Sequence, residues 1–177
     1  MIITDNTKLH TICESASKEE SIEIIGLLEN ELETSNKFGV EGIGLAAPQI
    51  GINKRVAIVR IGHLHFNLVN CTIGDKYNKT ISEEGCLSLP GKFYNIERYN
   101  QIVIQDNELG NIIKFSAYGL PAVAIQHEMD HWDGILISDK AIVEHKTIGP
   151  NMPCPCGKKL KYKKCCGKIL NQENEEV

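Results

Sequence analysis

Nothing in this chain of 177 residues provides an address for export or for a membrane. The first residues, MIITDNTKLH, lack a basic segment followed by an apolar one, and no run approaches the roughly 20 apolar residues that a membrane span requires. A soluble, cytoplasmic protein is expected. Seven cysteines are present, but the number is odd and four fall within residues 154–166, so a disulfide framework is not expected. Reduced thiols, some of them holding metal, fit better. The length excludes a large multidomain machine and no internal repeat occurs, while 42% apolar residues suffice for one domain with a core and a short appendage. Acidic residues are missing from 153–168, which holds six lysines; residues 1–150 carry 13 basic against 20 acidic side chains, and the last seven residues add three glutamates. Two pieces of different electrostatic character are implied.

Ser17-Lys18-Glu19-Glu20 has the Ser-x-x-Glu spacing of a capping box, and Ile22, Ile25, Leu28 and Leu32 follow at helical spacing. An amphipathic helix running to about Asn36 is predicted. Residues 42–51, GIGLAAPQIG, hold too much glycine for a helix and too little polarity for a surface loop, and read as buried backbone that other groups approach closely. β-Branched runs at 55–61, 65–70, 101–106 and 111–118, separated by turn residues, predict antiparallel strands. Pro121 stands where the first residue of a helix would, and 122–132 keep helical spacing until Asp133-Gly134 supplies a stop. The expected organisation is an α+β domain over residues 1–146, a linker at 147–153, a thiol-rich module at 154–168 and an acidic tail at 169–177.

The most informative pentapeptide is His127-Glu128-Met129-Asp130-His131. Residues four apart share a helical face, so both imidazoles can reach one metal ion, and Glu128 can contact a water on that ion. Taken alone, the pattern is also compatible with an ordinary solvated helix face. A catalytic centre with an open position needs a third protein ligand. Downstream, only Glu144 and His145 offer one, and neither has the metzincin spacing. Upstream, Cys86 in Glu84-Gly85-Cys86-Leu87-Ser88-Leu89-Pro90 is the natural choice, its plainer reading being a buried cysteine packed as a small hydrophobe.

GIGLAAPQIG, EGCLSLP and QHEMDH, in that order, resemble the three signature segments of the peptide deformylase family, a resemblance that covers roughly residues 1–140. It implies antiparallel sheets packed around a central, C-terminal HExxH helix. It also implies a metal-dependent hydrolase that removes the formyl group from the N-terminal methionine of new proteins. By the same resemblance Cys86, His127 and His131 are the metal ligands, Glu128 the acid/base group, and Gln49 and the Leu87 amide the oxyanion donors. Gly44 holds the substrate strand through its backbone, and Ile43, Leu120, Val123 and Ala124 line the methionine pocket. The metal implied is ferrous iron in the cell, with zinc, nickel and cobalt as alternatives, and oxidation of iron or of Cys86 as an inactivation route. Asn70-Cys71 replaces the family's common Asn-Pro, and Phe93 an arginine found in some members. Glu84 and Arg98 are expected to form a surface pair worth only ~0–1 kcal/mol.

Cys154-Pro155-Cys156 and Cys165-Cys166 frame eight residues, Gly157 to Lys164, giving CxCx8CC, a set of thiols able to enclose one structural Zn²⁺. PCPCGKKLKYKKCCG resembles the SEC-C zinc-binding motif, which implies docking on a protein partner or a ribosome. Six lysines suit an anionic surface such as ribosomal RNA. Two further readings stay open: a metalloenzyme acting on another formylated or acylated amine, and a non-enzymatic adapter. Retention of Glu128 and Gln49 argues against the adapter, since a purely structural metal needs neither.

Overall fold

Residues 1–37, 42–106, 113–144, 151–153 and 160–164 are described by the computed structural model. A short helix α1 (Asn6–Leu9) precedes α2 (Lys18–Lys37), whose start carries the expected reciprocal cap: the Glu20 amide donates to Ser17 Oγ at 3.2 Å and the Ser17 amide to Glu20 Oε2 at 2.7 Å. The buried face of α2 is Ile24, Leu28 and Leu32, not the stripe through Ile22, which is 64% exposed. Six residues before Leu28, Ile22 is rotated about 120° off that face, whereas Ile24 is one turn away.

Strands β1 (Gly44–Ala46), β2 (Val56–Ile61) and β3 (Leu64–Val69) form an antiparallel sheet in that order. Alternation along β2 sends Val56 and Ile58 into a cluster with Ile24, Leu28 and Leu32 of α2. Ala57 and Val59 face the other way, into a cluster with Ile125 and Trp132. Both faces of β2 are therefore covered, which explains its unbroken apolar run. Burying Leu28 or Leu32 in this way stabilises the fold by about 2 kcal/mol each.

The second sheet contains β4 (Thr72–Cys86), β5 (Leu89–Asp106) and β6 (Ile113–Tyr118), with β7 (Ala141–Glu144) pairing the early part of β5. Tyr94, Ile96, Arg98, Ile102 and Ile104 alternate inward along β5. The expected strands at 101–106 and 111–118 are the ends of this sheet, residues 107–112 lying outside the described residues. The long β4 and the first half of β5 went unforeseen because β4 is largely solvent-facing and its polar residues mask the alternation.

Helix α3 (Leu120–Trp132) begins after Gly119 and ends at Asp133, with Pro121 in its first turn. It packs against both sheets. Every residue from Ala122 to Met129 is buried, as are His131 and Trp132, so this is a core helix rather than an amphipathic surface one. Trp132 Nε1 donates to the Val56 carbonyl at 3.2 Å and its own carbonyl accepts from Cys13 at 2.8 Å, which fixes the helix end against the first sheet.

Candidate metal centre

Cys86 closes β4 where the chain turns through Leu87-Ser88 into β5, and its register partner is Leu89. One step back Gly85 pairs with Phe93, so Pro90, Gly91 and Lys92 are bulged out of the ladder beside the cysteine. His127 and His131 lie one turn apart on α3, with ring centroids 5.2 Å apart and planes at 69°. The Cys86 sulfur and one nitrogen from each histidine lie within 4.8 Å of one another, and Cys86 Sγ is 3.4 Å from His131 Nε2. A tetrahedral ion bound by one sulfur and two imidazole nitrogens has ligand–ligand edges of about 3.5 Å, so the donors need little movement to close on one.

Buried carboxylates orient this trio. His127 Nδ1 is 2.9 Å from Glu84 Oε2, which leaves its Nε2 for the donor cluster. Arg98 donates to both Glu84 oxygens, at 2.7 and 2.8 Å, and to Asp130 Oδ2 at 2.5 Å, while Lys140 reaches Asp130 at 2.7 Å. The expected surface pair is in fact a buried one, with the Arg98 and Glu84 side chains 2% and 6% exposed. Sequence spacing could not reveal this, because Glu84 lies on β4 and Arg98 on β5 and the pleat turns both inward. Burial by itself would raise the Glu84 carboxyl, but the hydrogen bonds from Arg98 and His127 prevail and hold it at about 2. Burial tends to keep His127 neutral, yet Cys86, Glu84 and Glu128 together raise it well above its ordinary value.

Glu128 is buried, and burial first, then the charges of Glu84 and Asp130, raise its carboxyl to about 7 against the pull of His127 and Arg98. Its Oε2 has no hydrogen-bond partner among the described residues. An orphaned carboxylate oxygen beside three metal-type donors fits a centre that handles protons next to an ion. Gly44 makes room for it: a Cβ there would collide with Glu128 Oε1 and lie 2.9 Å from Cδ. His131 is driven well below its usual value by burial and by the charges of His127 and Arg98, which suits a neutral ligand.

Gln49 sits in the turn Ala47–Ile50 and is buried. Its Oε1 accepts from the Ala46 amide at 2.8 Å, and this orients Nε2 toward Cys86 Sγ at 3.4 Å and Ser88 Oγ at 3.2 Å. Ser88, 1% exposed, is a positioning residue that sequence reasoning passed over, although it stands inside EGCLSLP. Leu87 packs against the α2 cluster, linking the hairpin turn to the first sheet. Of the expected pocket residues, Ile43 and Leu120 are 39% and 53% exposed, whereas Val123 and Ala124 are buried and Ala124 belongs to the core cluster. Cys154, Cys156, Cys165, Cys166 and His145 lie outside the described residues.

The polypeptide deformylase family matches residues 1–147. The peptide deformylase of Thermodesulfovibrio yellowstonii is 42% identical over 120 residues, 64% of this chain and 72% of that protein. Among solved structures, the peptide deformylase of Thermotoga maritima superimposes with a TM-score of 0.70 at 30% identity, covering 81% of this chain and 97% of that one. A class I type b peptide deformylase from Acinetobacter baumannii with Met-Ala-Ser bound gives a TM-score of 0.68 at 26% identity, covering 79% and 96%.

Proposed function

Since the chain belongs to the polypeptide deformylase family, metallo-hydrolases that remove the N-formyl group from nascent peptides, we propose a division of labour among its residues. Cys86, His127 and His131 hold one divalent ion, ferrous iron in the cell, with zinc giving a weaker enzyme and nickel or cobalt as other substitutes. One thiolate and two neutral imidazoles leave such an ion a Lewis acid able to polarise a carbonyl and acidify water. Glu128 takes the proton of the attacking water and returns it to the leaving amine, and a carboxyl raised to about 7 is matched to that exchange near neutral pH. Gln49 Nε2 and the Leu87 amide meet the negative charge that develops on the formyl oxygen, at roughly 3 kcal/mol per donor.

The edge position of β1 supports a substrate role for Gly44. Among the described residues that strand pairs with β2 on one side only, which leaves its other edge for an extended peptide. The bound Met-Ala-Ser in the Acinetobacter baumannii relative supports a substrate that begins with methionine. On this reading Ile43, Leu120, Val123 and Ala124 surround the methionine side chain, the exposed pair at the rim and the buried pair at the floor. The observation that carries the proposal is the convergence of Cys86, His127 and His131 beside the buried, unpartnered carboxylate oxygen of Glu128.

The test is formate release from a formyl-methionyl tripeptide, with protein loaded anaerobically with ferrous iron and an acetyl-methionyl tripeptide as control. Release from the formyl peptide alone is expected; equal release from both, or from neither, sinks the reading. The CxCx8CC segment is proposed to fold around one structural zinc in a cytoplasmic enzyme, with residues 1–146 as the catalytic domain, 147–153 as linker, 154–168 as the module and 169–177 as acidic tail. Its lysines suit docking on an anionic partner such as the ribosome.

A further inference from the structure

Part of the C-terminal segment touches the catalytic hairpin. Pro153 bridges Lys161 and the Tyr162 amide donates to the Met152 carbonyl at 2.7 Å, which ties residues 152–153 to 161–162 and presents Tyr162 from the turn Tyr162–Lys164. Tyr162 is only 7% exposed, although its chain neighbours are exposed. It is seated on Gly91: a Cβ at that position would collide with the Tyr162 hydroxyl and lie 3.0 Å from Cζ. Gly91 also has φ +74°, which favours glycine on its own account.

Gly91 is the middle of the three residues bulged out of the β4–β5 ladder, and the pair immediately inside that bulge is Cys86 with Leu89. A bulge leaves backbone groups unpaired and lets the strand bend, so the position of Cys86 and of the Leu87 amide depends on what holds the bulge in place. On its inner side Leu89 and Cys86 pack with Leu9, Leu136 and Ile137. On the Gly91 side, the atoms nearest to where a Cβ would stand are the hydroxyl, Cζ and Cε1 of Tyr162.

We propose that Tyr162 is a positioning residue for the metal centre, clamping the Pro90–Lys92 bulge so that the C-terminal segment of this chain acts as a brace on the Cys86 hairpin. The brace rests on the metal-site reading only for its effect on turnover; its effect on the hairpin does not. A partner that drew the C-terminal segment away would loosen the ligand-bearing turn, so docking and catalysis would be coupled through one ring.

The experiment uses the full-length, metal-loaded protein and its Tyr162→Ala and Tyr162→Phe variants, and reads amide hydrogen exchange of residues 86–92 together with kcat and KM for a formyl-methionyl tripeptide. In Tyr162→Ala, exchange in this stretch should speed up roughly tenfold while exchange in α2 and β2 stays at the wild-type rate. kcat should fall by about tenfold with KM little changed, as expected when a reacting group is misplaced and binding is not. Tyr162→Phe, which keeps the ring, should restore most of both. Tyr162→Leu, which fills part of the same space but takes the ring and hydroxyl off Gly91, should also speed exchange at 86–92 and serves if Tyr162→Ala does not fold. Wild-type exchange at 86–92 in Tyr162→Ala, or in Tyr162→Leu where the alanine variant does not fold, overturns the brace. Altered exchange with no formate release by any form, wild type included, upholds the brace and rejects the assigned activity instead.

Discussion

At the scale of single residues, Glu128 is tightly constrained. It is buried, raised to about 7, lacks a partner for Oε2 and occupies the space that a side chain at Gly44 would need. Glu128→Gln keeps the volume and removes the proposed base, so metal content should stay at the wild-type level while kcat falls by about 10²–10⁴-fold. Metal analysis alongside formate release checks this, and wild-type turnover would mean that another group is the base. Cys13 supplies a pH test away from the centre. Burial pushes its thiol up to about 11, from an ordinary value of 9.0, with Asp133 adding to the rise and Arg55 opposing it. The unfolded chain loses that proton near pH 9 and the folded one only near 11, so stability present below pH 9 declines as pH climbs toward 11. Denaturant titrations at pH 8 and pH 10.5 should show a smaller decline for Cys13→Ala than for the wild type; equal declines would place the titrating group elsewhere.

At the scale of elements, the centre exists because three pieces of backbone are held in register. β1 passes close enough to α3 that Gly44 faces the Glu128 carboxylate, so Gly44→Ala should displace that side chain and lower kcat by about 10²-fold with a small change in stability. Stopped assays and a thermal melt separate the two effects, and an unchanged kcat would show that Glu128 can shift without penalty. The β4–β5 hairpin is tied to α3 through Glu84–Arg98–Asp130. Arg98→Met takes the guanidinium from Glu84, 6% exposed and left with His127, and from Asp130, which keeps Lys140, and should cost about 3–5 kcal/mol in urea unfolding. A cost below 1 kcal/mol would mean that the network is solvated, as exposed pairs are. Asn70 shows how an element compensates for a missing restraint. The proline common after this asparagine in the family is Cys71 here, yet Asn70, at φ +50°, holds both the amide and the carbonyl of Ala16 through its side chain, at 2.9 and 2.8 Å. Phe93, at a position where some family members carry arginine, covers Gly85 across the ladder.

At the scale of the whole molecule, the donors come from two distant stretches of chain, one on the β4–β5 hairpin and two on α3, so an ion bound there joins the two sheets through the helix between them. Binding to the folded form alone stabilises it by about 2.7 kcal/mol when free metal is a hundred times its dissociation constant. Chelation should therefore lower the melting temperature of the wild type, and should lower it much less in Cys86→Ala. Equal shifts in the two proteins would assign the effect to a metal bound elsewhere, such as at the C-terminal cysteines. No helix among the described residues is long and apolar enough to cross a membrane.

The sequence alone made the candidate helical donors and the carboxylate between them legible, because residue types and helical spacing are local properties of the chain. His127, Glu128 and His131 were legible from a four-residue period, and the Ser17 cap and the stop after Trp132 from residue types that have few other uses. Tertiary structure decided what depends on which faces meet. It buried Glu84 and Arg98 together, and it set Gln49 Nε2 toward Cys86 by engaging its carbonyl with Ala46. It also chose Ile24 over Ile22 for the core and laid Tyr162 on Gly91. Each of these turns on a register, a pleat or a contact between residues far apart in the chain. Local propensity does not encode such pairings, because their free energy arises only when the second partner is in place.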